Sequence, residues 1–401
     1  MTELLFLLAL LVVLPLALPA FSLLLLTLAS CWGGKQDGQD SSESLSPVPP
    51  AVARVAVLVP AHNESTHVLP TLACLKSQAA SGDRIVLIAD NCSDDTAELA
   101  RQTGVEVIER HDSTRRGKGF ALAFGVAYLR AAPPDVVVVV DADCVLSEQA
   151  LPRITAMCHR TGRPVQMLNL MIAGPGAALK MRVLEFAALM KNLVRPTGSN
   201  ALAQVCHLSG TGMALPWSLM STVKLATGHI AEDMEMGISL AIAGHTPRFL
   251  PGVRVTSDFP LQSEVAKAQK TRWEHGHLKV LREDLPRLAK VVFRTRRPDL
   301  LVLMLDLMIP PVALYALVLS VSLALSAVAA WLWPVLGGGA WLLAVAALCL
   351  FLAIGITWVR HGRELLSARE LLIMPLYVLG KIPIYLAYLI GRRSGWVKTK
   401  R

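Results

Sequence analysis

Hydrophobic positions along the chain fall into three regimes. Residues 4–30 are almost unbroken in apolar character, residues 53 to about 292 alternate short apolar runs with polar segments, and apolar character returns from Asp299 onward. In the middle regime RVAVLVP (54–60), RIVLIAD (84–90), VEVIE (105–109) and the valine run at 136–140 read as strands, because short continuous β-branched runs suit strands covered on both faces. Between them, Leu69, Leu72 and Leu75 are spaced for a helix face, Ser93 with Asp94 and Asp95 opens a second helix, and 116–130 leads into a third. This alternation predicts an α/β fold, a doubly wound and mainly parallel sheet whose ligand crevice lies outside the carboxyl ends of the strands.

That rule gathers residues that are distant in sequence. Pro60, His62, Asn63 and Glu64 follow the first strand, Asp90 ends the second, and Asp141 with Asp143 follow the fourth. Side chains two apart point the same way in extended chain, and two acids so placed can hold Mg2+ or Mn2+ against a diphosphate. An isolated DAD is more often a pair of solvated acids, so the convergence of clusters carries the expectation. No GxGxxG follows the first strand, and Arg116-Gly117-Lys118-Gly119 lacks the Walker frame. It reads as a glycine-permitted turn that aims Arg116 or Lys118 at phosphate, or as a solvated helix start.

Further along, Gly210-Thr211-Gly212 allows close backbone approach to a ligand. Glu232 and Asp233 open a helix, where acids are ordinarily structural; facing the crevice, the same group can act as a general base. Gln269, Arg272 and Trp273 share one helical face at i, i+3 and i+4, offering charge for a diphosphate and a flat ring for a sugar. The alternative is an amphipathic helix on a membrane surface. His275 and His277 have no zinc-type spacing.

Composition places the domain beside a membrane. A hydrophobic content of 53% and a mean hydropathy of +0.49 exceed those of ordinary soluble enzymes. The excess lies at the two ends, and the absence of a basic residue before residue 4 favours a retained anchor over a cleaved signal. The net charge of +9 is concentrated between Lys279 and Arg297 and after Arg392, a positive-inside pattern that removes the nucleic-acid reading. Seven cysteines without a CxxC pair fit a reduced, cytosolic-facing domain. The expected organisation is an anchor (1–31), a Ser/Gly/Pro-rich flexible linker (32–52), a catalytic domain (53–263), interfacial helices (264–298), a membrane region (299–391) and a basic tail (392–401). Pro310-Pro311 should bend an interfacial helix into a spanning one, 341–359 should span again, and 371–390, interrupted by Pro375, Lys381 and Pro383, should be interfacial or re-entrant. A transporter should show internal repeats and more ionisable residues in its spans than Asp306 and Lys381.

Taken in order, VPAHNE, IADNCSDDT, VVDAD, GTG, ED and QKTRW over residues 53–275 resemble the membrane-embedded family-2 glycosyltransferases, the group of cellulose, chitin, hyaluronan and poly-N-acetylglucosamine synthases. The resemblance implies a GT-A type domain and inverting transfer from a UDP-sugar. It further implies that Asp90 meets the base or ribose, that Asp141 lies near the diphosphate and that Asp143 is the metal ligand. Asp233, beside Glu232, would be the general base, and Gln269, Arg272 and Trp273 the QxxRW motif. Pro60, His62, Glu64 and Lys118 would complete the donor site, and Gly210, Thr211, Gly212 and Trp273 would face the acceptor. Two departures stand out: TED is Ala231-Glu232-Asp233, and the usual tyrosine of VPAYNE is His62. The implied setting is a multi-pass protein of the inner (cytoplasmic) membrane with its catalytic domain cytosolic. Its implied partners are a UDP-sugar, a glycan or polyprenyl-linked acceptor and membrane lipids, with export or assembly partners compatible with that role. The expected product is a β-linked exopolysaccharide, with QxxRW tilting toward a polymer and processivity open. The alternative is a non-processive transferase adding a single sugar to a polyprenyl-linked oligosaccharide, and a catalytically inactive partner subunit is a further alternative that the intact Asp90, Asp141, Asp143 and Asp233 disfavour.

Overall fold

The computed structural model describes the backbone of residues 2–44, 53–174, 176–259 and 263–379, and their side chains outside 2–9, 33–44, 263–270 and 374–379. Eight strands, β1 Val55–Ala61, β2 Arg84–Asp90, β3 Glu106–Arg110, β4 Val136–Val139, β5 Cys144–Leu146, β6 Val165–Ile172, β7 Met213–Pro216 and β8 Arg248–Asp258, form one sheet in the order β3-β2-β1-β4-β7-β6-β8-β5. The four strands expected from the apolar runs are mutually parallel. Beyond them the sheet becomes mixed: β6 and β8 are parallel, while β7 runs antiparallel to β4 and β6, and β5 antiparallel to β8.

That reversal positions the site. Met213, at the start of β7, pairs with Val139 at the end of β4. The GTG segment before β7 is therefore delivered to the same edge as the acids after β4.

Alternation along the strands fills both faces, as period-2 geometry requires. Val55, Val57, Val59 and Leu87 pack with Leu72, Leu75, Leu151 and Ile154 on one side. Leu58, Val86, Ile88 and Val139 pack with Leu122, Val126, Met236 and Leu240 on the other. Ser93 does not cap the following helix: Thr96–Gln102 begins three residues later, and the Asp94 carboxylate accepts from Thr96 N (3.1 Å) and Ser65 N (3.2 Å).

Three helices among the described residues are long and apolar enough to cross a membrane, at Leu10–Trp32, Val312–Leu332 and Pro334–Gly362. The first belongs to helix Thr2–Ser44, so helical backbone continues through much of the segment expected as a flexible linker. Extending an existing helix needs no new nucleus, which lets it outrun its composition. The chain breaks between Pro298–Leu307 and Val312–Leu332 at Pro310-Pro311, as expected. Helix Ala368–Leu379 is described; Lys381, Pro383 and the tail 392–401 lie outside the described residues.

The N-terminal helix is packed into the molecule. Ala17, Ala20, Leu23 and Leu26 join Phe186, Leu303, Leu343 and, on the helix that carries Asp233, Met234, Ile238 and Ala241 in one core. Gly198 permits the closest crossing, since a Cβ there would stand 2.1 Å from the Leu26 carbonyl oxygen. At Pro19 the helix opens, and the Tyr315 hydroxyl fills the gap, accepting from Ala20 N (3.0 Å) and donating to Leu16 O (2.7 Å).

Candidate active site

A cavity of about 1150 Å3 lies at the carboxyl edge of β4. Asp141 and Asp143 enter it from the loop after β4, Lys118 from the start of helix Lys118–Leu129, Gly210 and Thr211 from the loop before β7, Glu232 and Asp233 from the first turn of helix Glu232–Ile242, and Arg272 and Trp273 from helix Ser263–Lys279. Five separate segments singled out by their residue types thus meet in one space. Gln269 lies on the same helix as Arg272 and Trp273, with its side chain outside the described residues.

Local contacts explain the arrangement. The Asp141 N–H donates to Thr211 Oγ1 (3.0 Å), which ties the acidic turn to the GTG loop. Lys118 Nζ donates to Asp141 Oδ1 and to the Gly210 carbonyl (2.7 Å). Gly210 has φ +85°, and a Cβ there would sit 3.2 Å from Asp233 Oδ2, so the missing side chain makes room for Asp233 beside the lysine. Gly119 is needed for a similar reason, its pro-Cβ position lying 2.3 Å from Leu225 O. Gly212 does not line the cavity. It is a packing residue, with Met167 Cγ and Val255 Cγ1 each 2.5 Å from where a Cβ would be.

The charges are strongly coupled. Burial pulls the Lys118 ammonium down, but Asp141, Glu232 and Asp233 more than offset this and raise it, so the lysine stays cationic. Burial pushes Asp141 up, aided by Asp143 and opposed by Lys118 and Arg272. Glu232 is pushed up to about 7, by burial first and the Asp233 charge second.

Asp141, Asp143 and Cys144 bring one ligand atom each within 4.8 Å of one another. Burial drives the Cys144 thiol well above its ordinary value, so it stays protonated and the donor set is two carboxylates. A pair of oxygen donors fits a hard divalent ion such as Mg2+ or Mn2+. Asp143 and the Asp141 oxygen not engaged by Lys118 would hold it.

Pro60, His62, Glu64 and Asp90 occupy the same sheet edge but do not line this cavity. Asp90 is buried against Arg110, Nη1 to Oδ1 at 2.6 Å, and Arg110 also stacks over Phe120. His62 Nδ1 lies 2.6 Å from the Asp90 carbonyl oxygen.

Other residues at the site carried little signal in sequence. Buried Gln166 shapes the GTG loop, donating to Thr211 O (2.8 Å) and accepting from Ser209 N (2.9 Å); a glutamine inside the apolar run VQMLNLMI is the one cue. Asn169 donates to Ser209 O (3.2 Å). His229 Nδ1 accepts from Ala231 N (3.1 Å), its Nε2 standing 3.5 Å from Asp284, and so fixes the turn that leads into Glu232. Lys191 and Arg195 also line the cavity. Arg195 is locked in a buried trio, its Nε donating to Asp306 Oδ1 (2.7 Å) while His207 Nδ1 donates to Asp306 Oδ2 (2.6 Å).

A mixed α/β sheet with a DxD pair at its carboxyl edge is a GT-A-like arrangement. The chain belongs to the family described as "Glycosyltransferase like family 2", whose model matches residues 50–276. Among curated proteins it is 25% identical over 252 residues to a probable glycosyltransferase, YdaM, of Bacillus subtilis, covering 59% of this chain and 58% of that one. It is 28% identical over 197 residues to the 4,4'-diaponeurosporenoate glycosyltransferase of Staphylococcus haemolyticus, covering 46% and 50% respectively. The chain thus spans 58% and 50% of the length of these relatives. Among solved structures, the mannosyltransferase PcManGT from Pyrobaculum calidifontis, in complex with GDP-Man and Mn2+, is similar at 17% identity and a TM-score of 0.48, over 82% of this chain and 99% of that one.

Proposed function

We propose that the protein is an inverting glycosyltransferase that moves a sugar from a UDP-sugar to a hydroxyl of a membrane-held acceptor at the cytosolic face of the inner membrane. The observation that carries this reading is the single cavity shared by Lys118, Asp141 and Asp143 with Asp233, Arg272 and Trp273. Asp233 takes the proton of the acceptor hydroxyl. The oxygen attacks the anomeric carbon as its bond to the diphosphate breaks, and one displacement turns an α-linked donor into a β-linked product. Lys118 and Arg272 offset the charge left on the diphosphate, and the Trp273 ring offers a face to the sugar. Mg2+ or Mn2+ held by Asp143 and Asp141 would add Lewis-acid stabilisation of the leaving diphosphate. His62, Glu64 and Asp90 are assigned to the nucleoside end of the donor, Gly210 and Thr211 to the acceptor side.

A single transfer to a lipid-linked acceptor is favoured by the cavity wall at Pro310–Ala313, which opens the apolar helix Val312–Leu332. The synthase-like motif order supports the second reading, assembly of a β-linked exopolysaccharide. Nucleotide release from a panel of UDP- and GDP-sugars by purified protein, with Mn2+, Mg2+ or chelator and with or without lipid acceptor, tests both. Release with lipid acceptor and one added sugar supports the first reading, and a growing polymer without lipid the second. Full turnover in folded Asp233→Asn and Asp143→Ala variants would overturn the residue roles.

A further inference from the structure

One face of the segment 179–203 lines the cavity in a helical sequence of positions: Leu184, Ala187 and Ala188, then Lys191 and Asn192, then Arg195. Opposite stands the turn Pro310–Ala313 at the mouth of helix Val312–Leu332. The wall made by 184, 187, 188 and 310–313 is aliphatic and holds no aromatic side chain. Aromatic faces suit a sugar ring, whereas an aliphatic wall leading to an apolar helix suits a hydrocarbon chain.

Lys191 changes what that chain must carry. Arg195 is neutralised by Asp306 and Lys118 by Asp141, but Lys191 has no carboxylate partner among the described residues. The neighbouring Asn192 buries its side-chain carbonyl oxygen without a hydrogen-bond partner. Both residues sit in a π-helical turn, Met190–Val194, interrupting an otherwise α-helical segment; such turns are costly and recur at functional sites. A partly buried cation without a salt-bridge partner is unfavourable, and burial with the Arg195 charge pulls Lys191 below its ordinary value, with Asp233 and Asp306 opposing. A ligand bearing negative charge would relieve it.

We propose that the acceptor is an amphiphile with an anionic group beside its hydroxyl, that Lys191 grips the anion while the Asn192 carbonyl oxygen accepts from a hydroxyl of the same headgroup, and that its hydrocarbon lies along the aliphatic wall. This rests on the glycosyl-transfer reading above.

The test uses the full chain in a polyoxyethylene detergent and three probes of equal chain length with a hydroxyl next to the headgroup: 2-hydroxypalmitate, 2-hydroxyhexadecyl phosphate and hexadecane-1,2-diol. Wild type should bind a charged probe about tenfold or more tighter than the diol, and the tighter of the two charged probes identifies carboxylate or phosphate as the headgroup. Lys191→Met should bring the charged probes down to the diol's affinity and leave the diol unchanged, while Lys191→Arg keeps the preference. Equal binding of all three by wild type, or a preference that survives Lys191→Met, overturns the proposal. Sugar transfer measured in parallel separates the two readings. Transfer without charge preference removes the anion site and keeps the transferase, whereas charge-selective binding without transfer from any donor keeps the anion site and counts against the transferase. If Lys191 merely tuned Asp233, Lys191→Met would lower kcat and shift the pH profile with the diol as well; an anion grip changes KM for the charged probes alone.

Discussion

Replacing Asp306 by asparagine should destabilise the protein more than any exposed substitution. Asp306 is 0% exposed and Arg195 3%. The carboxylate accepts from Arg195 Nε at 2.7 Å and from His207 Nδ1 at 2.6 Å, and the Asp306 backbone carbonyl accepts from Arg195 Nη2 at 2.5 Å. Asparagine preserves the shape but leaves a buried guanidinium without its counter-charge, a change that costs about 3–5 kcal/mol where measured. For a domain of this size that corresponds to a fall in Tm of about 6–20 °C. Scanning fluorimetry on detergent-solubilised wild type, Asp306→Asn, Arg195→Met and the Asp306→Leu/Arg195→Met double variant would read it. The double variant should lose much less than the sum of the single changes, because no charge is left stranded. Burial pushes Asp306 up, but Arg195 and His207 more than offset this and hold it well below the usual carboxylate range. Its stabilisation is therefore present above the unfolded carboxylate value and lost only as pH falls through the lower native one, so the Asp306→Asn penalty should not vary with Asp306 ionisation between pH 5 and 8. A Tm for Asp306→Asn within a degree of wild type, or strictly additive losses in the double variant, would refute the reasoning.

Glu232→Gln should flatten a pH dependence. With its native value raised from 4.5 to about 7, Glu232 gives stability that is full below the unfolded value and lost as pH rises through the native one, so the variant should match wild type in Tm at low pH and exceed it above neutrality; parallel curves would count against the assignment. Gly210→Ala should lower kcat about tenfold or more and lower Tm by about 2–12 °C, since the new methyl meets Asp233 and the φ of +85° disfavours it; unchanged steady-state kinetics would exclude the close approach. Gly198→Ala should force the N-terminal helix away from the Leu26 carbonyl, lowering Tm and admitting limited proteolysis near Leu26, whereas wild-type resistance would show that the crossing tolerates a methyl.

The first half of the sheet was legible because parallel strands covered on both faces leave continuous apolar runs, and their carboxyl ends then point to Asp90 and Asp141 without further information. The second half was not. β7 spans only Met213–Pro216, and its antiparallel insertion is set by long-range pairing with Val136–Val139 that no local pattern encodes. Asp233 and Arg272 could be recognised from motif order, whereas Lys191 and Arg195 look like ordinary polar positions on a helix until a cavity is found on that face. Asp306 was conspicuous as a charge in an apolar stretch, but its partners lie 99 and 111 residues away. Helical backbone runs to Ser44, into the segment expected as a linker; extension of a helix already formed needs no new nucleus.

The core that Ala17, Ala20 and Leu23 share with Met234, Ile238 and Ala241 makes the bilayer a mechanical neighbour of Asp233. In a bilayer, lateral pressure or thickness felt by the N-terminal helix would be transmitted through these packed side chains to the turn that carries Asp233, the proposed base. A fragment starting at β1 would accordingly expose the underside of the helix that carries Asp233. Turnover should therefore respond to acyl-chain length in reconstituted bilayers even when donor and acceptor are saturating.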